Sequence, residues 1–301
     1  WKKVVNYVHK FSKSKIGIQL GHSGRKGSVN VPSVGSNIPL AKHGWDLISA
    51  SPMAFNDTMP IPKEMTVSDM DNTISEFVNA TIFAEEAGFD MIELQAHHGF
   101  LLASFLSPLT NIRKDEFGGP IQNRIKFPLQ VFQAMREVFP QNKPMSVRIS
   151  ASDWYENGIT EEDVLFICEA FKNAGADIIN VSTGNTLANQ QPQIGRMWQT
   201  PFSDLVRNKI HIPTITTGYI QNIDQINTIL LNGRADLVAL GRPLLLDPNF
   251  VRHAQAYEQY ESADIPNQYK AGISHLYPLH SSERRSTEAM KKELKPESHK
   301  P

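Results

Sequence analysis

The stretch Ala87-Gly-Phe-Asp-Met-Ile-Glu-Leu-Gln-Ala96 contains the two patterns that decide the fold. A helical pattern ends at the glycine, and the aspartate then leads a short strand in which apolar and polar residues alternate. Helix, glycine and aspartate recur in this order in Lys172-Asn-Ala-Gly-Ala-Asp177 and in Asn232-Gly-Arg-Ala-Asp236. Because glycine tolerates the left-handed conformation that ends a helix, each copy predicts a helix followed by a strand.

Before, between and after the copies of this repeat, strand and helix patterns alternate along most of the chain. Strict alternation predicts a parallel sheet covered by helices, either doubly wound or closed into a (β/α)8 barrel. The predicted strands are residues 16–20, 91–96, 145–150, 178–182, 214–217 and 237–241, and the helices that follow them are residues 70–87, 121–139, 161–174, 202–208, 223–231 and 250–260.

The faces of the predicted strands decide between these two architectures. In the opening stretch Ile92 and Leu94 form an apolar face, whereas Glu93 and Gln95 form a polar one. A doubly wound sheet meets helices on both faces, so a polar inner face favours a TIM barrel with its site at the carboxyl ends of the strands. Such a barrel has eight strands, so about six of its eight βα units are expected in this chain and two upstream of Trp1.

Composition and charge argue against several classes of partner. A formal net charge of −1 over 301 residues gives no electrostatic reason to expect nucleic acid or a membrane surface. The single cysteine, Cys168, excludes an internal disulfide framework and suits a reducing compartment. The sequence has neither an apolar run of about 18 residues nor a signal-peptide pattern, so a cytoplasmic location is predicted.

Two glycine-containing stretches follow the last predicted strands, Thr216-Thr-Gly-Tyr-Ile220 and Leu240-Gly-Arg-Pro243. Neither a dinucleotide-binding glycine motif nor a P-loop is present, but barrels often bind phosphate after their seventh and eighth strands. Gly218 and Gly241 would let the backbone approach a phosphate, and Arg242 would add a bidentate cation. A phosphate site is therefore predicted, and the alternative is that the glycines only turn the chain.

The polar end of the opening strand, from Gln95 to His98, raises the question of a metal site. Zinc needs three or four converging ligands and glutamine is a poor one, so no metal site is predicted. Adjacent residues of a strand point to opposite faces, so His97 is expected to point away from His98. Glu93 faces the interior of the predicted barrel, where we expect a structural ion pair.

Arg25 and Lys26 begin a long segment, residues 27–67, that is rich in Pro, Ser and Asn. Long loops of compact domains are often lids or binding surfaces. The two cations therefore predict either a surface for nucleotide or CoA phosphates or a solvated basic turn, and the sequence favours neither.

Several ordered motifs of this chain occur together in one known family. They are Ile16-Gly-Ile-Gln-Leu-Gly-His-Ser-Gly-Arg-Lys26, Phe105-Leu-Ser-Pro-Leu-Thr-Asn111, Asp115-Glu-Phe-Gly-Gly119 with Asn123-Arg124, Ser146-Val-Arg-Ile-Ser150 and Ala239-Leu-Gly-Arg242. These motifs resemble the Old Yellow Enzyme family of FMN-dependent ene-reductases. The resemblance extends to about Tyr277, so residues 1–277 are expected to form an FMN-binding TIM-barrel domain without its first two strands. Residues 278–301, dense in Lys, Glu, Ser and Pro, are expected to be a disordered tail.

Further stretches are similar to one branch of that family. They are Trp1-Lys-Lys-Val-Val5, Gln19-Leu-Gly-His22, Gly195-Arg-Met-Trp-Gln-Thr-Pro-Phe202 and Asn267-Gln-Tyr-Lys-Ala-Gly272. The branch is the reductase domain that follows a monooxygenase in salicylyl-CoA 5-hydroxylase and 2-aminobenzoyl-CoA monooxygenase/reductase. This similarity implies a small-molecule substrate, an enone or an aryl-CoA thioester, and an upstream monooxygenase domain that is fused or packed. It leaves oligomerisation open.

The resemblance also implies a cofactor site. FMN would be the bound cofactor, and NADH or NADPH would be the hydride donor. Gln19 matches the glutamine that hydrogen-bonds the flavin pyrimidine edge, and Arg148 matches the arginine near flavin N1 and O2. A fixed cation there stabilises the negative charge of reduced flavin. Gly218, Gly241 and Arg242 match the phosphate cradle.

The resemblance further implies that Gln95 and His98 bind the substrate carbonyl, where the family usually has His with His or Asn. Donors to that oxygen draw electrons from the conjugated alkene, so that hydride can add to its β-carbon. Two residues depart from the family pattern. Gln95 replaces a histidine but still has an N–H donor, whereas Phe100 replaces a tyrosine that related enzymes use as proton donor and cannot donate a proton.

Two other functions remain open on the residues alone. A barrel lyase or isomerase acting on a phosphorylated substrate would use the same last two loops. It should also present a Schiff-base lysine or paired acidic groups at strand ends, and neither is evident. The other alternative is a non-catalytic, degenerate barrel.

Overall fold

The computed structural model describes residues 1–35, 37–258, 260 and 265–293, and within them six strands form one parallel sheet. These strands are β1 (Gly17–Leu20), β4 (Met91–Ala96), β5 (Met145–Ser150), β6 (Ile178–Ser182), β7 (Thr214–Thr216) and β8 (Leu237–Val238), and a separate parallel pair is formed by β2 (Ile48–Ser49) and β3 (Lys63–Glu64). The spatial order of the large sheet, β1-β4-β5-β6-β7-β8, follows the chain. This sequential order is that of a (β/α) barrel, and it confirms the predicted strands.

Helices connect these strands, as parallel pairing requires. One helix precedes β1, one long helix leads into β4, three helices lie between β4 and β5, and a single helix joins each later pair of neighbouring strands. The helices are α1 (Lys2–Phe11), α2 (Val67–Ala87), α3 (Leu101–Leu106), α4 (Ile121–Arg124), α5 (Lys126–Val138), α6 (Glu161–Asn173), α7 (Thr200–Ile210), α8 (Ile223–Leu231), α9 (Arg242–Leu246), α10 (Phe250–Tyr257) and α11 (Lys270–Glu293).

Local sequence fixes the ends of the longest connecting helix. At the start of α2 the hydroxyl of Thr66 accepts a bond from the Asp69 backbone N–H, and the Asp69 carboxylate accepts from the Thr66 backbone N–H. This capping box satisfies two amides that the first turn leaves without helical partners. At the other end Gly88 has φ 91°, which lets the chain leave α2 and enter β4 within three residues.

The aspartates of the repeat join neighbouring strands at their amino ends. Each carboxylate accepts a hydrogen bond from a backbone N–H at the start of the preceding strand in the sheet. A one-residue slip would break this bond, so the repeat helps to set the strand register. The pairs are Asp90 with Ile16 at 2.9 Å, Asp177 with Met145 at 2.8 Å and Asp236 with Thr214 at 2.9 Å.

The apolar strand face and the inner faces of the helices form one core. Ile92 and Leu94 of β4 are fully buried, and they belong to the same apolar cluster as Phe77 of α2 and Phe132 of α5. The alternation read from the opening stretch is therefore correct, because its apolar residues face the helices.

The described chain divides into two compact units. One comprises Trp1–Tyr219 and Thr228–Ala239, and the other comprises Ile220–Asn227 and Leu240–Pro301. In the second unit α11 includes residues 278–293, for which composition predicts a disordered tail. Residues 288–293 consist of Glu, Ala, Met and Lys, which have high helix propensity. Residues 294–301 of the predicted tail lie outside the described residues.

Candidate active site

The polar face of the sheet is organised around Glu93. Its carboxylate accepts hydrogen bonds from Gln19 Nε2 at 2.7 Å, Ser146 Oγ at 2.8 Å and Asn180 Nδ2 at 3.0 Å. Donors from β1, β5 and β6 thus converge on a side chain of β4. The expected ion pair of Glu93 is not found, because neutral donors satisfy the carboxylate in the described structure.

Gln95 lies one strand step further along β4, and its amide is directed toward β1. Its Nε2 donates to Gln19 Oε1 at 3.1 Å, and its backbone is paired with Arg148 of β5. No described hydrogen bond or ring contact joins Gln95 to His98. The pairing of these two residues on a substrate carbonyl stays a prediction.

Arg148 occupies the matching position on β5, where it is half-buried. Burial lowers the pKa of its guanidinium, and the nearby Glu93 carboxylate opposes that change. The Nε of Arg148 is buried and has no hydrogen-bond partner among the described residues. A permanent cation with an unused buried donor is thus held beside the polar strand ends.

His97 and His98 lie side by side, contrary to the expectation that His97 points away. Their ring centroids are 4.2 Å apart with an interplanar angle of 64°. The strand ends at Ala96 and His98 has φ 53°, so the alternation of a strand no longer applies there. The backbone N–H of His98 donates to Ser150 Oγ at 2.9 Å, and its Nε2 lies 2.7 Å from Ser182 Oγ.

The protonation of both imidazoles is set by burial and by two cations. Burial lowers the pKa of His97 most, and His98, Arg148 and Lys26 lower it further. Burial, Arg148 and Lys26 lower the pKa of His98 to about 3. Both rings are therefore neutral at pH 7, and both lie in a positive electrostatic field.

Arg25 and Lys26 hold together the loops that surround the two histidines. Arg25 is only 1% exposed, and its guanidinium donates to the carbonyls of Met53 and Thr186. Lys26 Nζ donates to His98 O at 2.9 Å and to Asn185 O at 3.0 Å. The solvated-turn alternative is wrong for Arg25, which is buried, and its Nε has no partner among the described residues. The surface for nucleotide or CoA phosphates stays a prediction.

Other buried polar atoms of the strands and their following loops also lack partners among the described residues. An uncompensated buried polar group costs about 1–3 kcal/mol, so such a group is expected to meet a ligand or water. Together with Arg148 they offer donors and acceptors of the kind that a flavin ring can use, so the residues fit FMN. The atoms are Asn180 Oδ1, Trp198 Nε1, Thr216 Oγ1 and His97 Nδ1.

The residues predicted for the phosphate are divided between the two units. In the first unit Gly218 has φ 101°, and a Cβ there would lie 2.9 Å from Trp198 Nε1 and from Gln199 Cγ. In the second unit Gly241 precedes α9, and a Cβ there would have no atom within 4 Å. Arg242 is the first residue of α9 and is exposed. Their joint role stays a prediction.

A cavity of about 500 Å³ lies between residues 54–61 and 187–189. Its lining is mostly apolar and includes Phe55, Met59 and Leu187, with Asp57 as the acidic member. Lys26 Nζ lies 4.3 Å from the centroid of the Phe55 ring, so one aromatic side chain connects the cavity wall to the histidine loop.

Sequence reasoning missed three polar residues that contact the site. Ser150 and Ser182 hold His98, and Gln199 Oε1 lies 3.4 Å from Ser182 Oγ. The two serines end predicted strands on the polar face, which could have indicated their position. Gln199 lies in an irregular segment before α7, and no local pattern identifies it.

None of the described helices is long and apolar enough to cross a membrane. Among the described residues, no group of three or more His, Cys, Asp or Glu side chains is placed to hold a metal ion.

The fold and the polar strand ends define an α/β-barrel protein with a ligand site suited to a flavin. The model of the NADH:flavin oxidoreductase / NADH oxidase family matches residues 1–261, and the chain belongs to that family. It is an FMN oxidoreductase of the Old Yellow Enzyme type, with NADH or NADPH as electron donor. This confirms the resemblance and favours the oxidoreductase over the lyase and the non-catalytic barrel.

Individual comparisons agree with this assignment. An NADPH dehydrogenase of Geobacillus thermodenitrificans (strain NG80-2) is 40% identical over 257 residues, which are 85% of this chain and 70% of that protein. A complex of 2-naphthoyl-CoA reductase with 2-naphthoyl-CoA superposes with a TM-score of 0.72 at 22% identity, over 86% of this chain and 40% of that chain. Morphinone reductase gives a TM-score of 0.66 at 23% identity, and the superposition covers 85% of this chain and 68% of that chain. The two solved structures confirm the predicted fold.

Proposed function

We propose that the protein reduces an activated C=C bond, that of an enone or an aryl-CoA-derived dienone, with electrons from NADH or NADPH. The observation that carries this proposal is the pair of neutral imidazoles, His97 and His98, placed in the positive field of Arg148 and Lys26. Such a field stabilises an oxygen that gains negative charge during a reaction. The carbonyl oxygen of a conjugated enone gains this charge when hydride adds to the β-carbon.

In this proposal the flavin ring lies against Gln19 and Arg148, and the phosphate lies against Gly218, Gly241 and Arg242. When bound, FMN supplies the hydride that it takes from the nicotinamide. Gln19 is fixed for its role, since Glu93 and Gln95 hold its amide on both sides. Arg148 places its permanent charge near the pyrimidine edge.

The substrate carbonyl lies at the end of β4, with His98 as a ligand and Gln95 as the second predicted ligand. The cavity beside Phe55 gives room for a bulky acyl or aryl group. Phe100 has no exchangeable proton, so the α-carbon takes its proton from water or from another residue.

The proposal extends to the surroundings of the protein. We place it in the cytoplasm and expect a monooxygenase domain upstream of it, fused or packed, because of the similarity to the CoA-dependent branch. Oligomerisation is also part of this proposal. Size-exclusion chromatography with light scattering, alone and with the upstream domain, would measure both kinds of association.

The test begins with the full chain and FMN. We expect a yellow complex with a flavin absorbance band, anaerobic bleaching by NADH or NADPH, and reoxidation by 2-cyclohexenone or an aryl-CoA thioester. A full chain that binds no flavin, alone and with the expected upstream segment supplied, would end the proposal that these residues form the flavin site. A flavoprotein that NAD(P)H bleaches but no conjugated carbonyl reoxidises would instead exclude the alkene substrate.

A further inference from the structure

We propose that the ammonium group of Lys26 donates the proton that the α-carbon of the substrate takes up, in place of the tyrosine hydroxyl that the family pattern has at residue 100. This inference rests on the proposed function and names the residue for its proton-transfer half. Its starting point is Phe100, which has no proton to donate. A residue that takes over this role should carry an exchangeable proton close to the Phe100 ring.

Lys26 lies between a residue proposed for the substrate carbonyl and the wall of the cavity. Its Nζ is 5.1 Å from the centroid of the Phe100 ring and 4.3 Å from that of Phe55, which lines the cavity. The same Nζ donates to His98 O at 2.9 Å. In a conjugated carbonyl compound the α-carbon is bonded directly to the carbonyl carbon. A donor in this position therefore lies near the α-carbon of a substrate whose acyl or aryl group fills the cavity.

The backbone that carries Lys26 is fixed by close packing. Lys26 ends the short 3-10 helix Gly24–Lys26, which follows β1. Gly24 has φ 57°, and a Cβ there would lie 2.8 Å from the backbone of Leu101. A glycine is therefore needed for this turn to pack against the start of α3. The lysine is thus held in place before a substrate binds.

The hydrogen bonds of Lys26 suit both of its protonation states. Its Nζ donates to His98 O and, at 3.0 Å, to Asn185 O, whereas an ammonium group has three N–H donors. One N–H is therefore left for a substrate. A neutral amine still has two N–H groups, so Lys26 can keep both bonds after it has given up the third proton. Loss of this proton breaks neither bond.

The surroundings of Lys26 also make it a stronger acid than an ordinary lysine. Burial first, and then the positive charge of Arg25, lower its pKa to about 8. Lys26 is therefore still protonated at pH 7. Its pKa nevertheless lies closer to neutrality, where a general acid is most effective.

The other charged or titratable side chains of the elements around Lys26 are poorer proton donors. They are Arg25 on its own segment, His97 and His98 after β4, Arg148 on β5, Asp153 after β5 and Asp57 in the cavity wall. Both imidazoles are neutral at pH 7, and a neutral imidazole is a far weaker acid than an ammonium group. Guanidinium groups hold their proton tightly, and carboxylates are acceptors.

The proposed step balances without a new oxidant or reductant. Hydride adds to the β-carbon, and the π electrons move onto the carbonyl oxygen to give an enolate. The α-carbon of the enolate then forms a C–H bond with a proton from the Lys26 ammonium group, and the carbonyl re-forms. Lys26 is left as a neutral amine, which regains its proton from water.

The test separates hydride transfer from proton transfer with 1-nitrocyclohexene. Hydride addition to this activated alkene gives a nitronate, an anion that water protonates slowly and that absorbs ultraviolet light. The full chain is loaded with FMN, reduced with NADPH in the absence of oxygen and mixed with the nitroalkene at pH 7. Stopped-flow absorbance then follows flavin reoxidation and nitronate decay as two separate signals.

Lys26→Arg is the main variant, because arginine keeps the charge and the N–H donors but holds its proton more tightly. We expect flavin reoxidation to stay within about threefold of wild type and nitronate decay to slow by about 100-fold or more. Lys26→Met has no exchangeable side-chain proton, so it should show the same slow decay and serves if Lys26→Arg does not fold. Lys42→Arg, at an exposed lysine, is the control and should change neither signal.

The two signals also distinguish failure of this inference from failure of the proposed function. If the nitroalkene does not reoxidise the reduced wild type, the proposed function fails and the inference fails with it. If the flavin is reoxidised and the nitronate decays as fast in Lys26→Arg as in wild type, the inference alone is overturned.

A second measurement needs no flavin, because it follows the titration of Lys26 itself. In the ¹³C-lysine-labelled full chain, the Cε signal that is lost in Lys26→Arg should titrate with a midpoint near pH 8. A midpoint at the ordinary lysine value of 10.5 would overturn the inference.

Discussion

Arg148 shows at the residue scale how burial turns a side chain into a binding group. It lies on a strand whose other polar side chains, Ser146 and Ser150, are hydrogen-bonded, yet its own Nε remains buried and without a partner among the described residues. The guanidinium keeps its charge at any ordinary pH, although burial lowers its pKa. A buried arginine N–H without a partner lowers the stability of the fold unless a ligand accepts a hydrogen bond from it.

The first prediction concerns this side chain. Arg148→Lys keeps the charge but loses the planar donor set, so we expect FMN to bind about tenfold or more weakly. Quenching of FMN fluorescence on titration measures the Kd. Arg196→Lys, an exposed change, is the matched control and should leave FMN binding unaffected. Equal affinity in Arg148→Lys and wild type would show that no guanidinium bond to FMN exists.

The second prediction uses the pH dependence of Lys26. Burial first, and then the neighbouring Arg25, lower the pKa of Lys26 from 10.5 to about 8. Between these values the unfolded chain holds a proton that the folded chain has released, so Lys26 makes stability rise with pH by at most about 1.4 kcal/mol per unit. Below pH 8 the side chain is charged in both states and adds no slope.

Urea unfolding of wild type and Lys26→Met at pH 7 and at about pH 10 measures this effect. The free energy of unfolding of wild type, relative to the variant, should rise across this interval. Arg25 is present in both proteins, so its own titration cancels. Lys42→Met, at an exposed lysine, should run parallel to wild type. A wild-type curve parallel to Lys26→Met would show that Lys26 keeps its ordinary pKa.

At the scale of elements, the repeated aspartates Asp90, Asp177 and Asp236 connect neighbouring strands. Asp90 accepts bonds from the backbone of Ile16, from His9 at 2.7 Å and from Lys15 at 3.1 Å. It therefore connects α1, the start of β1 and the start of β4. Asp236 does the same for β7 and β8, with Arg207 as its cation. Each aspartate of the sequence repeat therefore makes the same contact, a hydrogen bond from the backbone N–H at the start of the neighbouring strand.

The third prediction tests this contact at Asp90. Burial raises the pKa of the carboxyl, but bonds from Ile16, His9 and Lys15 outweigh it and lower the pKa from 3.8 to about 2. A lowered pKa adds stability that is present above pH 4 and is lost as the pH falls toward 2. Asp90→Asn should therefore unfold about 1–2 kcal/mol more easily at pH 7, with a smaller difference at pH 3.

Thermal unfolding followed by circular dichroism at both pH values measures the change at Asp90. The control is Asp71→Asn on the exposed side of α2, which should differ little from wild type at either pH. A pH-independent difference between Asp90→Asn and wild type would attribute the loss to altered hydrogen bonding rather than to charge.

At the scale of the whole molecule, stability is concentrated in the middle of the large sheet. Strands β4, β5 and β6 have a neighbour on both sides and carry the fully buried side chains Leu94, Val147 and Ile179. Within the described residues β1 and β8 are the edges of this sheet, and Gly17, Gln19 and Leu237 on them are exposed. Local opening is easier where fewer apolar contacts must be broken.

The fourth prediction is therefore a gradient of amide exchange. Hydrogen exchange followed by mass spectrometry should show the slowest exchange in peptides from β4, β5 and β6, and faster exchange in β1 and β8. Adding FMN should slow exchange in the loops after β1 and β4, since a ligand stabilises the state that it binds. Uniform protection across all six strands would contradict the gradient.

The sequence by itself determined the order of elements and their inner and outer faces, because periodicity and helix-ending glycines are local properties of the chain. It also identified the family, since motifs such as Ser146-Val-Arg-Ile-Ser150 are contiguous. Only the tertiary structure decided what the polar residues contact. Glu93 met neutral donors rather than a cation, and Arg25 was buried by carbonyls from distant loops. His97 turned toward His98 because the strand ends at Ala96, and a side chain beyond a strand takes its direction from the fold rather than from alternation.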